Sequence, residues 1–289
     1  MARNLSLSAS YHDQKIILTT KHDKARVIAP AFKHHLGANV MEFLFDTDSL
    51  GTFSGEVERK GDALDCVKHK CELGLLHENA IYGLASEGSF GPHPYIPFMA
   101  CDREVLYFID KQKQFSLHIS SLSEKTNYQM KKISAKEELL DFAKLALFPT
   151  HALIIRPNVW RDKGILFKGI QSDAALDAAF IESCLHSDDH EAWVMTDMRA
   201  HVNPSRMSVI AKLAEDLAQR LARNCPACIM PGWGMVDVRQ GLPCELCHQP
   251  TQLIKNEIWG CVKCAMKEEL PRYDGKIYAE AKDCAYCNP

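Results

Sequence analysis

Eight of the twelve cysteines fall in four C-x-x-C pairs near the C-terminus: Cys225/Cys228, Cys244/Cys247, Cys261/Cys264 and Cys284/Cys287. Two thiolates separated by two residues can grip one metal ion from a tight turn. A tetrahedral Zn²⁺ needs two such grips, so four pairs supply two Cys₄ sites. Sulfur then fills every coordination position, which makes the sites structural and not catalytic. A Cys₄ iron–sulfur centre would use the same ligands. The middle pairs, in CELCHQPTQLIKNEIWGCVKC, read as a zinc ribbon: a knuckle, a short hairpin ending at Trp259, and a second knuckle. That reading joins Cys244/Cys247 to Cys261/Cys264 and nests the pair inside a site made by Cys225/Cys228 and Cys284/Cys287. Sequential pairing, first with second and third with fourth, is the alternative that loop lengths leave open.

Three polar clusters in the first half each sit where a strand ends. Thr19-Thr20-Lys21-His22-Asp23-Lys24 joins hydroxyls and lysines at a helix start, a combination suited to phosphate. Gly55-Glu56-Val57-Glu58-Arg59-Lys60-Gly61 precedes another helix, and its carboxylates suit Mg²⁺, which takes oxygen ligands and substrate phosphates. Ser86-Glu87-Gly88-Ser89-Phe90-Gly91-Pro92-His93 follows a buried strand, with a Glu beside glycines that admit close backbone approach. Read blandly, the first two are solvated helix starts. A fourth cluster, Asp197 to Arg206, leads into a long helix. Its Arg199, His201 and Arg206 either hold an anion there or pair with carboxylates of the body.

The order strand–TTxxxK–helix, then GExxRxG–helix, then strand–EG, resembles the inosine/xanthosine triphosphate pyrophosphatases. The resemblance covers roughly residues 15–110 and implies a Mg²⁺-dependent nucleotide phosphohydrolase. It would give Thr20 and Lys24 phosphate contacts, Glu56 and Glu87 acidic roles at the metal, and Arg59 a place near the phosphates; Lys21 is a phosphate candidate only as a lysine of the same cluster. The family's T-N-x-x-K carries Asn where Lys21 stands here. The chain as a whole, through TFSGEVER, LASEGSFGPHP, TDMRAHVNPSRM and GLPCELC, resembles a bacterial family of unknown function.

The elements that must position these groups follow from periodicity. Strands are expected at 15–20, 40–45, 80–86, 104–110, 115–120, 151–157, 165–170 and 191–197. Helices are expected at 23–36, 61–75, 136–147, 172–186 and 204–223. The strand at 80–86 is expected to be broken by the Gly- and Pro-rich stretch 87–97. Asn203-Pro204 is a strong helix start, with Asn as cap and Pro at the first helical position. Alternating strands and helices give an α/β fold: a mixed-sheet body over 1–223, with room for a sub-boundary near 150, and a zinc-ribbon module over 224–289.

Composition bounds the rest. At 289 residues, 46% hydrophobic and 25% charged, the chain has the make-up of a globular protein. No apolar run reaches the ~18–20 residues needed to span a bilayer, and the start lacks the apolar core of a secretory signal. Paired cysteines without such a signal point to a reducing, cytoplasmic setting. Cys66, Cys71, Cys101 and Cys184 are scattered singly and read as small buried apolar residues. Residues 225–289 carry seven Lys/Arg against eight Asp/Glu, which argues against a nucleic-acid surface. Two functions remain. In one, a phosphorylated small molecule or nucleotide is the ligand. In the other, the body is a non-enzymatic scaffold and the zinc module binds a protein partner or a second copy. The first requires Lys24, Glu56 and Glu87 around one cleft.

Overall fold

Residues 15–20 combine an apolar run with two threonines, and they form β1 (Lys15–Thr20), buried from Ile16 onward. The structure, a computed structural model, describes residues 10–45 and 61–288. Glu56 and Arg59 lie outside the described residues. Two units can be distinguished, Asp13–Leu217 and Ala218–Pro289 together with the N-terminal twelve residues.

In the first unit, β1 leads into α1 (Ala25–Leu36), whose Ile28, Phe32 and Leu36 recur at helical spacing and are buried. Gly37 ends the helix in the left-handed region at φ 66°, where its N–H reaches Lys33 O. Next come β2 (Asn39–Leu44) and α2 (Ala63–His77), the latter capped by Asp62, whose side chain accepts from the Asp65 N–H at 2.8 Å. Three strands then run antiparallel: β3 (Tyr82–Pro92), β4 (Ala100–Asp110) and β5 (Phe115–Ser123). The sheet order is β2-β1-β3-β4-β5, with β1 parallel to both β2 and β3. From β1 the chain steps to β2 on one side, and from β2 it returns past β1 to β3. Two right-handed crossovers in opposite directions place their helices on opposite faces of the sheet. On the α2 face, Val67, Cys71 and Leu75 pack on Ala85, Val105 and Tyr107.

The expected break after Ser86 does not occur. β3 continues through Glu87–Pro92, because β4 pairs with it residue for residue from Tyr82↔Asp110 to Pro92↔Ala100. A continuous partner compensates for weak glycine propensity, and Pro92 is tolerated at the strand's last position.

A second sheet has the order β6-β9-β7-β8 and is antiparallel throughout. Its elements are β6 (Met130–Ile133), α3 (Lys136–Leu145), β7 (Leu153–Pro157), β8 (Phe167–Ile170), α4 (Asp173–Leu185) and β9 (Ala192–Thr196). Leu139, Phe142, Leu176 and Phe180 of the helices meet Leu153, Ile155 and Val194 in one core. β6 has too short a pattern, MKKI, to be read from the sequence. Asn203 caps α5 (Pro204–Leu221) as expected, its Oδ1 accepting from the Arg206 N–H at 3.0 Å.

The Cys-rich unit is built on a three-stranded antiparallel sheet, β10 (Gly234–Gln240), β11 (Ile254–Gly260) and β12 (Lys267–Pro271). Trp233 and Trp259 pack with Cys225. The fold is thus a mixed α/β fold with five helices among the described residues and a Cys-rich C-terminal region. No helix among them is long and apolar enough to cross a membrane.

Candidate functional site

All eight paired cysteines cluster, but not in the expected pairs. Cys225 and Cys228 meet Cys261 and Cys264, while Cys244 and Cys247 meet Cys284 and Cys287. The pairing is interleaved, neither nested nor sequential. Strand geometry gives the reason. β11 runs seven residues, about 20 Å, between the second and third pairs and holds them at opposite ends. The register Gly234↔Gly260 brings the segment after the first pair beside the third. A bridge from Cys244 to Ala279 brings the second pair beside the fourth.

The sulfur spacing fits a metal. Cys225 Sγ lies 3.8 Å from Cys264 Sγ, and Cys228 Sγ 3.6 Å from Cys261 Sγ. In the other cluster Cys244–Cys287 and Cys247–Cys284 are 3.9 and 3.6 Å apart. A Zn–S bond of ~2.3 Å gives a tetrahedron with edges of about 3.8 Å. The N–H groups of Lys263 and Cys264 donate to Cys261 Sγ, as suits a thiolate in a knuckle. Both clusters can therefore hold zinc.

In the first unit, the polar clusters chosen from sequence converge only in part. At the carboxyl end of β1, Thr20 is buried and its Oγ1 accepts from the His22 N–H at 3.3 Å. Lys24, also buried, donates from Nζ to Ser86 Oγ at 2.7 Å and to Ser86 O at 3.3 Å. The same face of β4 carries Asp102 and Glu104, respectively 1% and 0% exposed. Arg206, on the first turn of α5, donates from Nε to Glu104 Oε1 and from Nη1 to Met198 O, and its guanidinium lies 5.1 Å from the Phe90 ring. At the rim, the exposed His201 stacks on His22 at 5.0 Å, and the half-buried Arg199 grips Asp197 through Nε and Nη2. Lys21 is exposed in the turn. For Arg199 and Arg206, then, the carboxylate-pairing reading holds.

Charge states follow from this crowding. Burial first, then the charges of Lys24, His201, Arg206 and Arg199, holds the His22 imidazole neutral with its pKa down to about 2. Burial and then Arg206 pull the Lys24 ammonium down to about 7, against the opposing influence of Glu104. Burial and then the Glu104 carboxylate push Asp102 up to about 8. As two carboxylates, Asp102 and Glu104 would leave three buried oxygens without a hydrogen-bond partner, Asp102 Oδ1 and Oδ2 and Glu104 Oε2. A proton on Asp102 makes it a donor to Glu104 and relieves both the repulsion and the desolvation.

Glu87 does not join this group. Successive strand residues face opposite ways, so Ser86 sits beneath Lys24 whereas Glu87 turns to the α2 face and ion-pairs with Lys70. A Mg²⁺ site shared by Lys24's neighbours and Glu87 is therefore not formed. The sequence reading missed Asp102 and Glu104 because alternating charge in a strand reads as a solvent face. Their phase held the signal: they share a face with Leu106 and Phe108, which belong to the core. Three of the four scattered cysteines are as expected, while Cys184 is only partly buried. Cys66, Cys71 and Cys101 are buried, and burial raises the Cys71 thiol far above its ordinary range.

The domain-of-unknown-function family DUF6671 matches residues 70–289. The chain belongs to this family. The DUF6671 match takes in Ser86, Asp102, Glu104, Arg206 and all eight paired cysteines, and begins after Thr20, His22 and Lys24. No curated protein and no solved structure matches the chain. The resemblance to the triphosphate pyrophosphatases therefore has no support from either comparison.

Proposed function

We propose that the α/β unit binds a phosphorylated small molecule, of nucleotide class, at the carboxyl ends of β1 and β3, while two Cys₄ zinc sites hold the C-terminal unit together. The observation that carries this reading is the meeting of Thr20, Lys24 and Ser86 between β1 and β3. In open α/β sheets the crevice outside the carboxyl ends of such strands, where the crossovers diverge, is the favoured ligand position. Lys24, hydrogen-bonded to Ser86 and not to a carboxylate, is the cation that an anion would meet there. Neutral His22 offers a ring N–H or a lone pair, and Lys24, titrating near neutrality, can give or take a proton.

The reaction class we assign is hydrolysis of a phosphoanhydride, with Lys24 and the Asp102–Glu104 pair as proton carriers and Arg206 fixing Glu104. Glu87 has no part in it. The test is binding of, and phosphate or pyrophosphate release from, a panel of nucleoside triphosphates with and without Mg²⁺. The expected result is saturable binding that Lys24→Ala reduces at least tenfold. Absence of both binding and release across the panel would sink the reading.

A second reading makes the zinc unit an interaction surface. Large apolar side chains stand exposed on it, among them Leu246, Tyr273, Ile277 and Tyr286. Concentration-dependent mass in solution, lost on changing Tyr273 and Ile277 to Ser, would favour it.

A further inference from the structure

Thr150, His151 and Ser205 form a hydrogen-bonded series that the site at Lys24 does not use. Thr150 and His151 stand just before β7, and Ser205, 54 residues after His151, is the second residue of α5. His151 Nε2 lies 2.9 Å from Ser205 Oγ, and the Ser205 N–H reaches the same nitrogen at 3.2 Å. A ring nitrogen that receives a backbone N–H is an acceptor, so the imidazole carries its proton on Nδ1. That proton faces Thr150 Oγ1 at 3.1 Å, and the Thr150 hydroxyl donates in turn to Leu147 O at 2.6 Å. With Nε2 an acceptor, the Ser205 hydroxyl must be the donor of the bond between them.

A nucleophile, its base and a group that fixes the base's tautomer thus stand in series, the arrangement of Ser-His-Asp hydrolases with Thr150 in the place of the acid. His151 is 5% exposed, whereas Ser205 is half-buried and Pro204 and Thr150 are exposed, so the base is shielded and the nucleophile can be approached. Burial, opposed by the Leu147 carbonyl, pulls the His151 pKa below its ordinary value and keeps the ring a neutral base near pH 7. Asn203 already caps α5 through the Arg206 N–H, so the hydroxyl bond to His151 is additional to the cap. The positive end of the helix dipole lies at Ser205 and favours negative charge on its oxygen.

We propose that Ser205 is a nucleophile activated by His151 and oriented through Thr150, and that it takes the acyl group of a carboxylic ester. The three side chains carry no formal charge, which suits an uncharged electrophile. Ser205 Oγ bonds to the ester carbonyl carbon as its proton passes to His151 Nε2. The bond from that carbon to the alcohol oxygen then breaks, and the alcohol leaves with the proton. Water repeats the two steps on the acyl-serine, releasing the carboxylic acid and restoring Ser205 and neutral His151. Thr150 is a positioning residue, and the activity is independent of Lys24.

The test uses the zinc-loaded full chain with two probes, diisopropyl fluorophosphate and p-nitrophenyl acetate. In the first, Ser205 Oγ bonds to phosphorus and fluoride leaves, so peptide mass mapping locates the label. The expected result is one label per chain, on Ser205, and p-nitrophenolate release in excess of that from Ser205→Ala. His151→Gln keeps an acceptor for the Ser205 N–H but not a base, and should slow labelling at least about a hundredfold. Thr150→Val should slow it as well, and Thr150→Ser should restore it. The proposal is overturned if wild type is not labelled at Ser205, if Ser205→Ala releases p-nitrophenolate as fast as wild type, or if His151→Gln is labelled at the wild-type rate.

Discussion

Arg206 donates from Nε to Glu104 Oε1 across 102 residues of sequence, and both side chains are at least nine-tenths buried. Gly88, paired with Glu104 in the ladder, makes room for them: a Cβ there would fall 2.6 Å from Glu104 Oε1 and closer still to Arg206 Nη2. One missing side chain on β3 thus admits an ion pair between β4 and α5.

Gly88→Ala should therefore separate this pair and strand a buried charge. A loss of about 3 kcal/mol is expected, the scale for breaking a buried pair, read as a lower urea midpoint. Stability within 0.5 kcal/mol of wild type, a difference typical of a neutral surface change, would mean that the pair does not depend on Gly88.

Lys70→Ala should cost a similar amount, about 3 kcal/mol, because it takes the ion-pair partner Lys70 away from the buried Glu87 carboxylate on the α2 face. Replacing both, Lys70→Met with Glu87→Leu, should recover most of that loss. Phosphate-ligand binding at Lys24 should survive the double change, since Glu87 lies on the other face. Its abolition would show that the two faces act together.

The pH dependence has two arms. His22 has a folded pKa of about 2 against an ordinary 6.5, so below about pH 6.5 the unfolded chain takes up a proton that the folded chain refuses. Stability then falls on acidification, and His22→Asn should flatten that arm. Asp102 has a folded pKa of about 8 against 3.8, so between about pH 4 and 8 the folded chain keeps a proton that the unfolded chain loses. Its contribution therefore declines as pH rises through that window. Asp102→Asn should remove the decline, as urea midpoints measured from pH 4 to 8 would reveal; an unchanged slope would show that the carboxyl pair holds no proton.

Zinc removal should unfold the C-terminal unit, because Trp233 and Trp259 pack on Cys225 and lose that neighbour when the cluster opens. Chelation should red-shift tryptophan fluorescence. Because the two clusters interleave, Cys228→Ser should reduce bound zinc to one equivalent at most and weaken the remaining site by at least about tenfold, the scale of lost supporting interactions. Elemental analysis and chelator competition measure both. Full retention of one site at wild-type affinity would show the clusters to be independent.

What the amino-acid sequence by itself determined was local. The C-x-x-C spacing named the eight cysteines that gather into two clusters able to hold a metal, because two sulfurs on one turn are a short-range arrangement. The helix cap at Asn203 and the apolar stripe of α1 were equally legible, since their partners lie within a few residues. Tertiary structure decided which pairs share a metal, because the loops permit several closures and the β10–β11 register selects one. It also decided which polar residues meet. Ser86 and Glu87 are neighbours in the chain but face opposite sides of the sheet, while Glu104 and Arg206 are distant in sequence and in contact. A strand sends alternate residues to opposite faces, so a cluster in sequence splits, and only the pairing of strands brings remote charges together.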